Sequence, residues 1–500
     1  MPEQHGKVWL VGAGPSDPGL MTLRGYELLQ TADVVVYDRL VGYSIPAMIP
    51  DSAEKIYVGK CSGRHPIPQH EINQILVREA LAGKRVVRLK GGDPFLFGRG
   101  GEEIAELRRH HIPYEVVSGV PSAIAVPAYA GIPVTHRSGG NSLHIFTGHH
   151  AAGKNAKLDF SILSKLNGTL VFLMSVASAE FICKGLLEAG MAQDTPAAVI
   201  ENGTTARQRT VSATLNTLAE QIVTQKIHSP AILVIGENAS FAGQFSWVQN
   251  NPLYGKRIIV TRPRTHCMDF CRKIRALGGE AVVVPCIQTV PCHQNKMAAV
   301  MERLSHFTWV TFSSATGVNL FFQALHKAGK DSRALSQIKV AAIGSATAKA
   351  LKKHGIFADL IPNKFDSLHF SQALNKVMDS KDCVLVIRPL EGSSQLEEQF
   401  LRKDIPFEAV SCYKTELVQN DENSFPEIRK IIEDGNFDLI TFTSASTVKG
   451  FVQLFPNLDF SHCTAVCIGP ETAAEANKYG FHTIVARVST MDGMLETMTQ

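Results

Sequence analysis

A chain of 500 residues with 45% apolar and 19% charged side chains has the composition of a folded globular protein, which excludes a disordered one. Its formal net charge of +4 is too mild to point to nucleic acid or a membrane surface as a partner. No run of about 18 apolar residues is present, and MPEQHGKVWLVGAG at the N-terminus lacks the basic and cleavage regions of a signal peptide, so a cytoplasmic protein is expected.

At roughly 150 residues per domain, a chain of this length holds about three domains. The ten cysteines include two C-x3-C pairs, Cys267 with Cys271 and Cys463 with Cys467. Neither pair is completed by a further His or Cys at zinc spacing, so free thiols and no metal are expected.

Strand-like and helix-like runs alternate from the start. KVWLVGAG (7–14) is an apolar run ending in glycine, MTLRGYELLQTA (21–32) has helical spacing, and DVVVYD (33–38) is a second β-branched run. KRVVRLKGG (84–92), YEVVSG (114–119), SLHIFTGH (142–149), TLVFLMS (169–175), PAAVIENG (196–203) and PAILVIGE (230–237) continue the series. Short strands separated by helices predict a parallel α/β architecture, in which ligands bind at the carboxyl ends of the strands. The rhythm breaks over 237–255, which reads as a linker, and resumes with KRIIVTRPR (256–264).

The second half carries an internal echo. WVTFSSATGVNLFF (309–322) is similar to LITFTSASTVKGFV (439–452), and KVAAIGSATAKALKKHG (339–355) to AVCIGPETAAEANKYG (465–480). Two lobes with hydroxyl-rich turns at strand ends imply a cleft, and such turns suit carboxylates. The alternative is that these Ser and Thr residues only cap helices.

Two stretches of the first half bear on chemistry. VGAGPSDPGLMT (11–22) starts like a dinucleotide fingerprint, with Asp38 near the place of a ribose-binding acid, but Asp17 occupies the third glycine position. KGGDPFLFGRGGEE (90–103) holds five glycines after a strand and has no GK[ST], so it is not a P-loop. Gly91 and Gly92 would admit a close ligand, and Asp93 would offer a carboxylate to a cation or a ribose hydroxyl, or would simply cap the turn.

GAGPSDPGLMTLRG, VVVYDRLV, VGK at 58–60, RLKGGDPFLFGRGGEE, GIPVTHR (131–137), ENGTTARQRTV (201–211) and SPAILVIGE (229–237) together resemble uroporphyrinogen-III C-methyltransferase over about residues 5–245. The resemblance implies a two-lobed α/β fold, lobes about 1–137 and 138–245, with S-adenosylmethionine between the lobes. It implies Pro15, Gly91, Gly92, Asp93, Leu96, Pro121, Ser122, Met174 and Gly203 as cofactor contacts, Asp38 as general base and Lys60 as general acid. Pro121 stands where a threonine is usual, and Ser16 and Ser175 where glycines are; Ser175 is expected to crowd the adenine side. The substrate carries carboxylates, for which Arg39, Arg64, Arg99, His136, Arg137 and Arg207 are candidate partners.

VTRPR (260–264), TFSSATGV, AAIGSATA, VLVIRPLEG (384–392), SCYKTE (411–416), ITFTSAST and IGPETAAEA resemble uroporphyrinogen-III synthase over about 255–490. That resemblance implies two α/β lobes with parallel sheets, about 255–290 plus 415–500 and about 294–412, following a linker at 246–254. It implies no cofactor. It also implies that Tyr413 assists departure of the substrate hydroxyl, with Arg262, Ser313, Ser314, Thr347, Thr443, Ser444 and Thr472 as carboxylate partners.

The expected function is bifunctional: cyclisation of hydroxymethylbilane to uroporphyrinogen III and its double methylation to precorrin-2, by a homodimer acting on small tetrapyrroles with no nucleic acid or membrane partner. A non-catalytic tetrapyrrole-binding C-terminal module, and a nicotinamide oxidoreductase built on the GxGxx run, stand as alternatives.

Overall fold

The computed structural model describes residues 6–59, 67–148, 157–364, 366–418 and 426–500. The chain divides into two compact units, Met1–Pro285 with Asn420–Gln500, and Cys286–Gln419. Among the described residues no helix is long and apolar enough to cross a membrane.

The first sheet of the larger unit comprises β1 (Lys7–Gly12), β2 (Val34–Tyr37), β3 (Glu54–Tyr57), β4 (Arg85–Lys90) and β5 (Tyr114–Val117), in the order β3-β2-β4-β1-β5 and wholly parallel. Its central strands are buried on both faces, as helical crossovers require. Alternate side chains feed two separate cores. Trp9, Val11, Val35, Val87 and Leu89 enter one, and Val8, Leu10, Val34, Val36 and Val86 the other. The same alternation puts Arg88 and Lys90 on the face of Val86, where no apolar partner suits them.

The second sheet comprises β6 (Leu143–Thr147), β7 (Thr169–Leu173), β8 (Pro196–Glu201), β9 (Arg209–Thr214) and β10 (Ala231–Ile235), ordered β6-β7-β10-β8-β9. Here the expected parallel arrangement fails. Only β6 and β7 run parallel; β10 is antiparallel to β7 and β8, and β8 to β9. The reason is loop length. Residues 202–208 join β8 to β9, and a parallel pair needs a crossover of about a dozen residues or more.

Ten strands follow: β11 (Arg257–Val260), β12 (Glu280–Val283), β13 (Ile287–Pro291), β14 (Trp309–Phe312), β15 (Lys339–Ala342), β16 (Val384–Pro389), β17 (Phe407–Leu417), β18 (Leu439–Phe442), β19 (Thr464–Cys467) and β20 (His482–Val485). In the larger unit they form a parallel sheet, β12-β11-β18-β19-β20. The smaller unit holds β13-β17-β16-β14-β15, parallel except that the edge strand β13 runs antiparallel to β17. The sequence echo is a packing echo as well. Phe312 meets Phe321 edge-on at 5.2 Å, and Phe442 meets Phe451 edge-on at 5.9 Å.

The segment read as a linker is docked. Trp247 Nε1 donates to the Ala128 carbonyl at 3.1 Å, its ring meets Tyr129 edge-on at 5.1 Å, and Leu253 is buried with Ile258 and Val260.

Phe451 is fully buried among Phe442, Phe455, Phe460 and Phe481. Phe451→Ala is expected to cost about 3–5 kcal/mol, read as a lower urea midpoint.

Candidate active site

Three glycines close the carboxyl ends of β1, β4 and β5. A Cβ on Gly12 would lie 2.5 Å from Gly119 Cα and 2.6 Å from the Gly92 carbonyl oxygen, and one on Gly119 would lie 2.2 Å from that same oxygen. Gly14, at φ +72°, turns so that Gly92 N–H donates to its carbonyl at 2.9 Å and its own N–H returns the bond at 3.2 Å. Gly91 is equally crowded, by the Leu40 carbonyl oxygen at 2.4 Å from where its Cβ would be. Most of these glycines therefore admit the protein's own backbone. Gly92 differs: at φ +68° the nearest atom to its missing Cβ is Ser122 N at 3.7 Å, so a space is left beside it at the start of the helix Ser122–Tyr129.

Asp93 is committed within that junction. Its Oδ1 accepts from Phe95 N at 2.8 Å and Leu96 N at 3.2 Å; its Oδ2 accepts from Gly119 N at 3.1 Å and from the Ser118 hydroxyl. Burial pushes the Asp93 carboxyl up, but the Ser118 hydroxyl and the three N–H donors outweigh it and hold it below the usual carboxylate range. It thus ties the GGDP turn to the end of β5, the capping role weighed above.

Asp38 sits just past β2. Its Oδ1 accepts from Leu40 N at 3.0 Å and its Oδ2 from Arg88 Nη2 at 2.9 Å. Arg88 is buried and also reaches Glu103 at 3.1 Å, while Lys90 reaches Glu103 at 2.7 Å. Burial, and then the like charge of Arg88, pulls the Lys90 ammonium below its ordinary pKa. Two cations and two carboxylates balance here. Arg88, Lys90 and Glu103 were not among the sequence candidates. The available signal was RLK inside an apolar strand, since cations on a buried face require anions within reach.

Other expected cofactor residues converge on the same helix. Leu96 packs against the apolar cluster that contains Ala123 and Val126 of this helix, and a Cβ on Gly203 would strike Val126 at 2.3 Å. Pro15 is linked to the loop after β8 by a hydrogen bond from the Thr204 hydroxyl to its carbonyl. Pro121 precedes the helix as its extended N-cap, with no side-chain cap bond. Met174 follows Leu173 of that cluster at φ +53°, with its side chain half exposed. Ser175, expected to crowd a ligand, is fully buried and donates to the Phe172 carbonyl at 3.0 Å. Ser16 takes φ +63°, the left-handed region that accounts for a glycine preference there.

The dinucleotide reading fails on geometry. Asp17 caps a three-residue turn, Pro18–Leu20, and accepts from Tyr129 Oη at 2.6 Å; the helix begins only at Leu23. No helix N-terminus opens directly after Gly14 for a pyrophosphate.

The expected carboxylate partners are scattered. Arg39 and Arg137 are exposed. Arg99 is held by Glu102 through two 2.7 Å bonds. His136 packs on Phe241 at 4.6 Å and on Ser138. Arg207 points elsewhere, to Asp438 at 3.0 Å and the Gly255 carbonyl at 2.9 Å. Lys60 and Arg64 lie outside the described residues.

In the second half, Tyr413 Oη donates to Ser314 Oγ at 2.9 Å, and that oxygen caps the helix Ala315–Lys327 through Gly317 N at 3.0 Å. Burial raises the Tyr413 pKa. Ser444 caps Ala445–Leu454 in a reciprocal box with Thr447. The capping alternative therefore describes Ser314 and Ser444. Thr347 and Thr472 lie buried within their helices. Ser313 and Thr443 are half-buried at the ends of β14 and β18; Ser313 Oγ bonds the Ile387 carbonyl at 3.3 Å. Arg262 is half-buried and donates to Met491 Sδ at 2.6 Å.

The fold and these sites define a chain of two α/β modules in tandem. Residues 7–219 match the family of tetrapyrrole (corrin/porphyrin) methylases, and residues 269–496 match uroporphyrinogen-III synthase HemD. The chain is 44% identical over 498 residues to the porphyrin biosynthesis protein HemD of Ruminiclostridium josui, covering 99% of this chain and 98% of that one. It is 34% identical over 488 residues to the uroporphyrinogen-III C-methyltransferase of Bacillus subtilis (strain 168), covering 96% and 94%. Among solved structures, uroporphyrin-III C-methyl transferase from Thermus thermophilus, complexed with S-adenyl homocysteine, is 42% identical, with 47% of this chain and 99% of that one covered and a TM-score of 0.42. The chain belongs to the family in which a tetrapyrrole methylase of the uroporphyrinogen-III C-methyltransferase kind is fused to a HemD-type uroporphyrinogen-III synthase.

Two outcomes follow from the charges. Arg88→Met leaves two carboxylates facing Lys90 alone and is expected to destabilise the fold by about 3–5 kcal/mol in urea unfolding. The Asp93 carboxyl is depressed in the folded state, so its stabilisation is complete above the ordinary carboxylate pKa of about 4 and is lost as pH falls below it. Asp93→Asn is expected to unfold more easily at neutral pH and to lose less stability on acidification than the parent.

Proposed function

We propose that the C-terminal half cyclises hydroxymethylbilane to uroporphyrinogen III and that the N-terminal half methylates uroporphyrinogen III twice with S-adenosylmethionine, giving precorrin-2. In this reading residues 1–245 are the methyltransferase, 246–254 the connection, and 255–500 the synthase. The observation that carries the methyltransferase assignment is the space beside Gly92, which any Cβ would narrow, facing Ser122 N–H at the carboxyl edge of a parallel sheet that also presents Asp38.

Gly92, Ser122, Leu96, Met174, Gly203 and the Pro15 carbonyl region suit a nucleoside: a backbone edge, a helix N–H, and apolar walls from Leu96 and Met174. S-Adenosylmethionine when bound would supply an activated methyl group on a sulfonium. Positioning then provides most of the rate. Asp38 retains acceptor capacity on both oxygens beside the Arg88 and Leu40 N–H bonds. Asp38, with an oxygen lone pair free beside its Arg88 and Leu40 bonds, is suited to take the proton that leaves the ring carbon after attack. Lys60 is retained as the proposed acid.

In the synthase half, Tyr413 is a neutral phenol whose proton rests on Ser314 Oγ as a hydrogen bond, and a bound substrate hydroxyl in place of that acceptor would take the proton as it departs. Ser313, Thr443 and Arg262 are the remaining proposed carboxylate partners.

An anaerobic assay tests both halves on one chain. Hydroxymethylbilane alone is expected to yield type III uroporphyrin after oxidation, and added S-adenosylmethionine a dimethylated product. Type I product alone would overturn the synthase assignment. Asp38→Asn is expected to lower methyl transfer by about a hundredfold with cyclisation unchanged. Tyr413→Phe is expected to slow type III formation about tenfold, less than the usual general-acid factor because the hydroxyl also leaves unaided, with methylation of supplied uroporphyrinogen III unchanged.

A further inference from the structure

The loop that follows Asp38 is covered by residues from the second half of the chain. Glu427, in the first turn of the helix Pro426–Glu433, accepts a 2.9 Å hydrogen bond from Tyr57 Oη. Ser44 Oγ, buried, donates to the Ala281 carbonyl at 2.7 Å. The Arg257 guanidinium, paired to Glu280 at 3.0 Å, lies 5.1 Å from the centre of the Tyr43 ring. Ala47 is buried in the core of Ile258, Val260, Phe270 and Val283.

Tyr57 connects this cover to Asp38. Its ring meets Tyr37, the residue before Asp38, edge-on at 5.4 Å. Its hydroxyl lies against Gly59, where a Cβ would be 2.4 Å from Oη and 3.0 Å from Arg39 N. A gap of about 20 Å³, no larger than one water, is bounded by Asp38, Arg39 and Tyr57 on one side and Pro426, Glu427 and Ile428 on the other. The outer wall beside the acid is thus built by the synthase half.

We propose that Tyr57 and Glu427 are positioning residues for methyl transfer: the synthase half holds the Asp38 loop in its working geometry through this hydrogen bond, while supplying no group to the reacting atoms. This rests on the assignment of Asp38 to methyl transfer. A bond to a carboxylate is directional and stronger than a neutral one, so it fixes Tyr57 and the Gly59–Arg39 backbone packed on it. Small displacements of a reacting group are costly in rate, which makes a remote tether matter.

The test uses the full chain with supplied uroporphyrinogen III and S-adenosylmethionine, alongside type III formation from hydroxymethylbilane and a thermal melt. Tyr57→Phe and Glu427→Ala are each expected to lower kcat for methylation about five- to twentyfold with KM for S-adenosylmethionine unchanged. The double variant is expected to fall no further than the worse single one, since both remove the same bond. Glu427→Gln, which keeps an acceptor oxygen, is expected to restore most of the rate. Type III formation is expected to be unaffected throughout. Parental kcat in both single variants, losses that multiply in the double, or a parallel fall in cyclisation and melting temperature would overturn the proposal. A parental chain that does not methylate uroporphyrinogen III at all would instead overturn the functional reading on which it rests.

Discussion

Burying two cations at the end of one strand is the constraint around which the N-terminal half is arranged. Arg88 and Lys90 lie on the inner face of β4, and neither can be left unpaired in an apolar interior. Glu103 answers both, and Asp38 answers Arg88. The chain must therefore leave β4 at Lys90 and return thirteen residues later so that Glu103 lies 2.7 Å from it. That forces a tight turn, which accounts for the glycine density of the segment. Gly98 and Gly100 ride over the Pro94 carbonyl oxygen, at 2.5 and 2.7 Å from where their Cβ atoms would be, while Gly91 slides under Leu40. Asp93 locks the turn to the end of β5. The opening beside Gly92 is a by-product of this folding, since the atom nearest its missing Cβ, Ser122 N, is no closer than 3.7 Å.

The C-terminal half shows how one local motif serves two ends. Each strand-turn-helix repeat places a serine where its hydroxyl satisfies the first free N–H groups of a helix, at Ser314 and again at Ser444. At Ser314 that same oxygen also accepts a hydrogen bond from Tyr413 Oη, so the helix cap orients a phenol otherwise enclosed by apolar side chains. The threonines one turn on, Thr347 and Thr472, are buried within their helices.

The loop from Asp38 to Met48 is held from two sides. Inward, Arg88 and Leu40 N–H orient the carboxylate; outward, Ser44, Tyr43 and Ala47 are held by β12, Arg257 and the apolar core of the third sheet. With about 1–2 kcal/mol of entropy lost per ordered residue, a loop of this length needs such anchors to stay in one conformation. The docking of Trp247 on Tyr129 and of Leu253 in the third-sheet core extends the same attachment along the connecting segment.

Much of this was legible in the sequence. The parallel first sheet followed from β-branched runs alternating with helical spacing, the two-lobed second half from its internal echo, and the tandem assignment from motifs in order along the chain. Those features are local, carried by residues close in sequence, so periodicity and turn chemistry report them directly. The antiparallel second sheet was missed because an apolar run such as PAILVIGE reads the same in either direction, and only the 202–208 connection decides it. The site was half legible. Gly92 adjoins Ser122, Asp93 holds Leu96 N–H, and Gly203 lies against Val126 of the helix that Ser122 opens, yet the pairing of Arg88 with Asp38, the bond of Ser175 to the Phe172 carbonyl, and the reach of Glu427 to Tyr57 across 370 positions came only with the tertiary structure. Sequence determined which residues had to be buried and which turns could form. Tertiary structure decided which charges met, because an ion pair or hydrogen bond needs its partner within about 3 Å and no spacing along the chain specifies that.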